Sequence, residues 1–102
     1  MFARVTTVGF EGAPDEAVAY VREQVLPAVQ GLSGFRGLYH LVDRQRGKAL
    51  GITLWETAAA LRASAATAQR LRAASVGRGP SAEPAAEEYE VVLQASPEAP
   101  AP

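Results

Sequence analysis

An α+β domain of element order β-α-β-β-α-β, with one four-stranded antiparallel sheet, is the fold this sequence predicts. Three observations predict it. Gly34 to Asp43 and Lys48 to Thr57 read as two strands joined by a short Arg/Gly turn, the second running straight into a helix cap. Helix-spaced apolar residues precede this hairpin, and an alanine-rich helical stretch follows it. Short alternating segments open and close the domain.

The first strand is expected from Phe2 to Val8, with Phe2, Arg4, Thr6 and Val8 on one face and Ala3, Val5 and Thr7 on the other. Gly9 to Ala13 form a loop. Pro14 suits the first turn of a helix, where its missing N–H is not needed, and Asp15 and Glu16 favour the positive end of the helix dipole. Val18, Val21, Val25, Leu26 and Val29 continue that helix to about Gly31, with a kink or a tightened last turn expected at Pro27. In the hairpin, Asp43 to Lys48 resembles a type I turn closed by a left-handed glycine. The register read from it pairs Tyr39 with Thr53 and His40 with Ile52. One face then holds Phe35, Tyr39, Leu41, Thr53 and Trp55, and the other Leu38, His40, Val42, Leu50, Ile52 and Leu54. A solvated antiparallel sheet leaves one face polar, and neither face here is clearly the wet one, so a partner sheet is expected.

Thr57 caps a second helix reaching about Ser75. Nine alanines lie between positions 58 and 74, with Leu61 and Leu71 the only large apolar residues, so this helix sits close to the sheet or leaves a gap above it. Val76 to Glu87 is a Gly/Pro/Ala/Glu-rich connection. A last strand is expected over Glu88 to Gln94, with Tyr89, Val91 and Leu93 on one face. The order is the ferredoxin-like split βαβ arrangement, as a single domain over residues 1–94 with a disordered tail over 95–102.

Composition excludes several function classes. Ten basic and eleven acidic residues give the 102-residue chain a net charge of −1, so no electrostatic footprint for nucleic acid or an anionic membrane surface is present. The absence of cysteine excludes thiolate chemistry and Cys-based zinc sites, and the single histidine excludes His-rich metal sites. No apolar run approaches the roughly 20 residues of a membrane span. The opening Met-Phe-Ala-Arg-Val-Thr-Thr-Val is a strand pattern rather than a signal peptide, and the expected location is the cytoplasm. No nucleophile motif, phosphate-binding glycine loop or metal-ligand spacing occurs; Gly9-Phe10-Glu11-Gly12 is a turn.

Gly34-Phe35-x-Gly37 opening the second strand, Trp55-Glu56-Thr57-x-x-x-Leu61 joining the third strand to the second helix, and the closing Glu88-Tyr89-Glu90-Val91-Val92-Leu93 resemble the antibiotic biosynthesis monooxygenase-like domains of the dimeric α/β-barrel superfamily. The resemblance covers roughly residues 2–94. It implies a homodimer whose two sheets face each other as a barrel, with a pocket between sheet and helices in each subunit that takes a small apolar or aromatic ligand. Some members oxygenate aromatic substrates without metal or flavin: the substrate is deprotonated and its carbanion reacts with dioxygen. Related members degrade haem, using an Asn on the first strand and a Trp and a His on the second helix. Thr6, Ser64 and Ala73 stand at about those positions here and offer neither an axial imidazole nor an indole wall, which disfavours haem degradation. The implied cofactor requirement is none, and a non-catalytic homodimeric binding module is the alternative to an oxygenase.

His40 is the candidate catalytic residue, because an imidazole of near-neutral pKa can act as a general base; a structural or interface histidine is the competing reading. Thr6, Tyr39, Trp55, Ser64 and Arg36 are the candidate substrate-binding residues. Tyr39 and Tyr89 carry hydroxyls suited to a phenolic or quinone substrate, and Trp55 could stack on a planar ligand or simply pack at its strand end. Arg4 or Arg36 could stabilise an enolate-like oxyanion if either points inward. Glu56 beside the helix cap reads as an electrostatic helix-start residue.

Overall fold

The structure, a computed structural model, describes residues 1–10, 13–75 and 85–97. Its strands are β1 (Phe2–Gly9), β2 (Phe35–Asp43), β3 (Lys48–Trp55) and β4 (Ala85–Glu90), and they form one antiparallel sheet in the order β2-β3-β1-β4. Between β1 and β2 run α1 (Asp15–Tyr20), a π-helical stretch (Val21–Val25) and α2 (Leu26–Gln30); α3 (Ala58–Ala63) and α4 (Ala65–Ser75) follow β3. The α+β class, the element order and the four-stranded antiparallel sheet are those predicted.

Registers depart from expectation by one residue in the hairpin. Tyr39 pairs with Ile52 and His40 with Gly51. The turn decides this. The Asp43 carboxylate accepts hydrogen bonds from the Gln45 and Arg46 backbone N–H groups at 3.1 and 3.0 Å, Gly47 takes the expected left-handed conformation (φ 63°), and Asp43 pairs with Lys48. A one-residue slip exchanges every side chain between faces. Leu38, His40 and Val42 therefore share the helix-covered face with Ala49, Gly51, Thr53 and Trp55, while Tyr39 and Leu41 join Leu50, Ile52 and Leu54 on the outer face. Phe35 remains on the covered side because a bulge between Phe35 and Gly37 shifts the register back by one at that end.

The first helix does not tighten at Pro27. The turn before it widens instead: the Leu26 N–H donates to the Val21 carbonyl, five residues back. Pro27 has no N–H to give to a carbonyl in the preceding turn, and a π stretch just before it absorbs the defect. Pro14 sits one residue earlier than expected, at the N-cap, its carbonyl accepting from the Val18 N–H at 3.0 Å. The second helix is capped as predicted, the Thr57 hydroxyl accepting from the Ala60 N–H at 3.0 Å, but it is interrupted at Ser64. β4 begins before the expected Glu88 and ends at Glu90, which pairs with Phe2; one further backbone bond follows, from the Val91 N–H to the Met1 carbonyl at 2.8 Å. Val92 and Leu93, placed in that strand by the sequence, lie beyond it and are 84% and 83% exposed. The connection over 76–84 and the tail residues 98–102 lie outside the described residues.

The core sits where the sheet end meets both helices. Trp55 is fully buried, packed with Val29 and Leu61 and flanked by Phe2, Phe35 and Leu38. Its ring meets Phe35 edge-on at 5.6 Å, and its indole N–H donates to the Thr53 hydroxyl at 3.0 Å, so burial leaves no unmet donor. Gly34 brings the chain into β2 at φ 82°, its carbonyl accepting from the Glu56 N–H at 2.8 Å, and a Cβ there would collide with the Ala60 side chain. Gly34→Ala should therefore lose about 2 kcal/mol or more, from left-handed strain plus overpacking. A chemical denaturation midpoint equal to that of the wild type would contradict this.

Candidate functional site

The covered face of the sheet is not filled. A cavity of about 120 Å³ lies between it and the helices. Its floor is formed by Thr6 of β1, Gly51 and Thr53 of β3, and Leu38 and His40 of β2. Its roof comes from Tyr20, Val21 and Val25 of the first helix, where the π stretch contributes both of its end residues, and from Ser64, Ala68 and Leu71 of the second. Of the two outcomes open to an alanine-rich helix over a sheet, the structure takes the gap. The two helical layers are joined at this level by the Tyr20 hydroxyl, which donates to the Leu71 carbonyl at 2.8 Å.

Arg4 is a buried cation with three hydrogen-bond acceptors. It is 4% exposed, and its guanidinium donates to the Ser64 hydroxyl (2.8 Å), the Leu61 carbonyl (3.0 Å) and the Glu88 carboxylate (2.9 Å). Ser64 in turn donates to the same Leu61 carbonyl at 2.7 Å. In an uninterrupted helix that carbonyl would accept from the amide four residues on; here the Ser64 N–H, the Ser64 hydroxyl and Arg4 use it, and the helix breaks. Of the two arginines weighed as an inward cation, Arg4 lines the cavity, whereas Arg36 stands exposed at the β2 bulge and away from it. An arginine between apolar Phe2 and Val8 on one strand face was the signal for this. Arg72 brings a second guanidinium to the cavity wall, and no carboxylate is among the lining residues.

His40 lies on the floor. Both ring nitrogens are shielded from solvent and have no hydrogen-bond partner among the described residues. Burial pushes the imidazole below its ordinary value near 6.5, so the neutral ring is favoured. A neutral imidazole carries one donor and one acceptor, and leaving each unmet costs on the order of 1–3 kcal/mol.

The other candidates divide. Thr6 and Ser64 line the cavity, Ser64 with its hydroxyl committed to Arg4 and Leu61. Trp55 presents only an edge to it from the core. Tyr39 borders it, yet the observed register puts its ring on the outer face, where the residue is 59% exposed. Tyr89 is also on the outer face, its hydroxyl pushed above its ordinary value chiefly by the adjacent Glu87 carboxylate. The sequence reading passed over Gly51, Arg72 and the π stretch as site elements.

A haem does not fit these residues. The only histidine rises from the sheet, Ser64 is tied to Arg4, Ala73 is exposed, and the cavity is far smaller than a porphyrin. Among the described residues, no group of three or more His, Asp or Glu gathers to hold a metal, and no helix is long and apolar enough to cross a membrane.

No family model matches the sequence. The uncharacterized protein Rv2557 of Mycobacterium tuberculosis is 40% identical over 94 residues, which are 89% of this chain and 41% of that protein. The chain thus spans about two fifths of the length of this curated relative. Among solved structures, the monooxygenase ActVA-Orf6 of Streptomyces coelicolor in complex with nanaomycin D superposes with a TM-score of 0.75 at 18% identity, covering 95% of this chain and 92% of that one. SnoaB of Streptomyces nogalater, a cofactor-independent oxygenase, does so at 0.73 and 16%, covering 91% and 94%. The haem degrader MhuD of M. tuberculosis, with two haems in its active site, gives 0.68 and 23%, covering 94% and 100%. At these identities the likeness establishes the fold: the chain has the fold of the antibiotic biosynthesis monooxygenase-like domains.

The depressed His40 value carries a sign. Above about pH 6.5 the ring is neutral in both folded and unfolded chains and burial exacts no ionisation penalty; as pH falls through 6.5 the unfolded chain takes up the proton more readily, and stability is lost. Thermal melts between pH 7.5 and 5.5 should show the wild type losing more stability than His40→Leu. Parallel curves for the two proteins would contradict the buried neutral imidazole.

Proposed function

We propose that this chain is a cofactor-independent oxygenase of a small aromatic or quinone-like molecule, with His40 as the base. The observation that carries the reading is an imidazole whose neutral form burial favours, both nitrogens buried and without a partner among the described residues, on the floor of a mostly apolar cavity walled by two guanidinium groups. The fold shared with ActVA-Orf6 and SnoaB supports it. In the proposed reaction His40 takes a proton from an activated ring carbon of the substrate, and Arg4 and Arg72 favour the negative charge that develops on the conjugated oxygen. The carbanion gives an electron to dioxygen, and the resulting radical pair recombines as a peroxide anion. Loss of water leaves a carbonyl, so one oxygen atom enters the product and the other leaves as water. His40 returns its proton in that last step.

An oxygen electrode with a panel of anthrones and naphthols tests this. Substrate-dependent uptake is expected in the wild type and should fall about 100-fold or more in His40→Ala. Ligand binding with no uptake across the panel would leave the non-catalytic binding module in place of the enzyme.

The reading includes a homodimer. Tyr39, Leu41 and Tyr89 are exposed on the outer sheet face beside Val5, Leu50, Ile52 and Leu54, a largely apolar surface, interrupted by Thr7 and by Glu87 on the edge strand, that a second sheet would cover. Light scattering at micromolar concentration should give twice the 10.7 kDa chain mass, reverting to the monomer in Leu41→Asp. A wild-type monomer would sink the dimer while leaving the cavity chemistry standing.

A further inference from the structure

His40, Gly51 and Thr6 form one row across three adjacent strands: His40 pairs with Gly51, Gly51 pairs with Thr6, and all three face the helices. Only the middle member has no side chain. A Cβ built on Gly51 meets nothing within 4 Å, so the glycine is required neither by a close neighbour nor by a positive φ. Glycine inside a central strand weakens it, and any β-branched residue would serve the sheet better. What the missing side chain produces is a slot one residue wide, with bare backbone as its base, the His40 imidazole on one side and the Thr6 hydroxyl on the other. Ala68, another small residue, lines the same cavity from the second helix.

We propose that Gly51 determines what the cavity accepts: a flat one- or two-ring aromatic lying over the Gly51 backbone and carrying oxygen atoms at opposite edges, one toward His40 and one toward Thr6. This rests on the reading of the cavity as a ligand site. Strand spacing puts the His40 and Thr6 backbones roughly 10 Å apart, the span of a para-quinone ring with a hydrogen bond at each end. The imidazole N–H, which has no partner among the described residues, donates to one carbonyl, and the Thr6 hydroxyl donates to the other.

The test is titration of 1,4-naphthoquinone followed by quenching of Trp55, the only tryptophan in the chain and itself at the cavity edge. The absence of cysteine removes thiol addition to the quinone as a complication. Gly51→Val should keep or raise the melting temperature while weakening binding at least tenfold, with Gly51→Ala intermediate; a merely structural glycine would not give opposite signs for stability and binding. Thr6→Val should weaken binding severalfold without a change in fold. Unchanged affinity in Gly51→Val, or in Gly51→Ala should the valine variant not fold, overturns the proposal. No binding by the wild type overturns it together with the ligand-site reading. Binding that is lost in Gly51→Val, in a wild type that consumes no oxygen, upholds the role of Gly51 and removes only the oxygenase.

Discussion

A buried guanidinium organises this domain. Arg4 has to satisfy its donors inside the protein, because an unpaired charge at that depth would cost several kcal/mol. It does so by reaching three acceptors in two remote parts of the chain: Ser64 and the Leu61 carbonyl at the helix break, and Glu88 on the edge strand. These bonds connect residues 57 to 84 positions apart in sequence. β4 has all six of its residues exposed, and besides its backbone pairing with β1 it is held by the Glu88–Arg4 ion pair. Since Glu88 is half exposed, that pair contributes more to orienting the arginine than to net stability. The helix break has the same origin, because the Leu61 carbonyl is turned to Arg4 and Ser64.

The cavity follows from residues that decline to fill it. Gly51 leaves the floor bare, the second helix contributes Ser64 and Ala68 where larger side chains could pack, and the π stretch forced ahead of Pro27 shapes the opposite wall. Each is a local loss of packing or of helix regularity. Packing is made up elsewhere by the cluster of Trp55, Val29 and Leu61, which lies at one end of the sheet. Core and cavity adjoin: Trp55 and Val29 belong to the packed cluster and also border the unfilled volume over the middle of the sheet. His40 lines the unfilled part.

The amino-acid sequence by itself determined the element order, the Thr57 cap, the left-handed Gly47 turn and the α+β class, because each rests on local periodicity or on a turn chemistry read within a few residues. It also brought His40, Thr6 and Ser64 forward as candidates, all of which line the cavity. Tertiary structure decided what depends on register and distant partners. The Asp43 carboxylate set the hairpin one residue away from the expected pairing, which moved Tyr39 out to the far face and set His40 opposite Gly51. Arg4 rather than Arg36 became the inward cation, because only Arg4 has acceptors on a helix and an edge strand remote in sequence. Period-2 alternation tells which residues share a face but not which face is covered, and a single bonded turn made that choice.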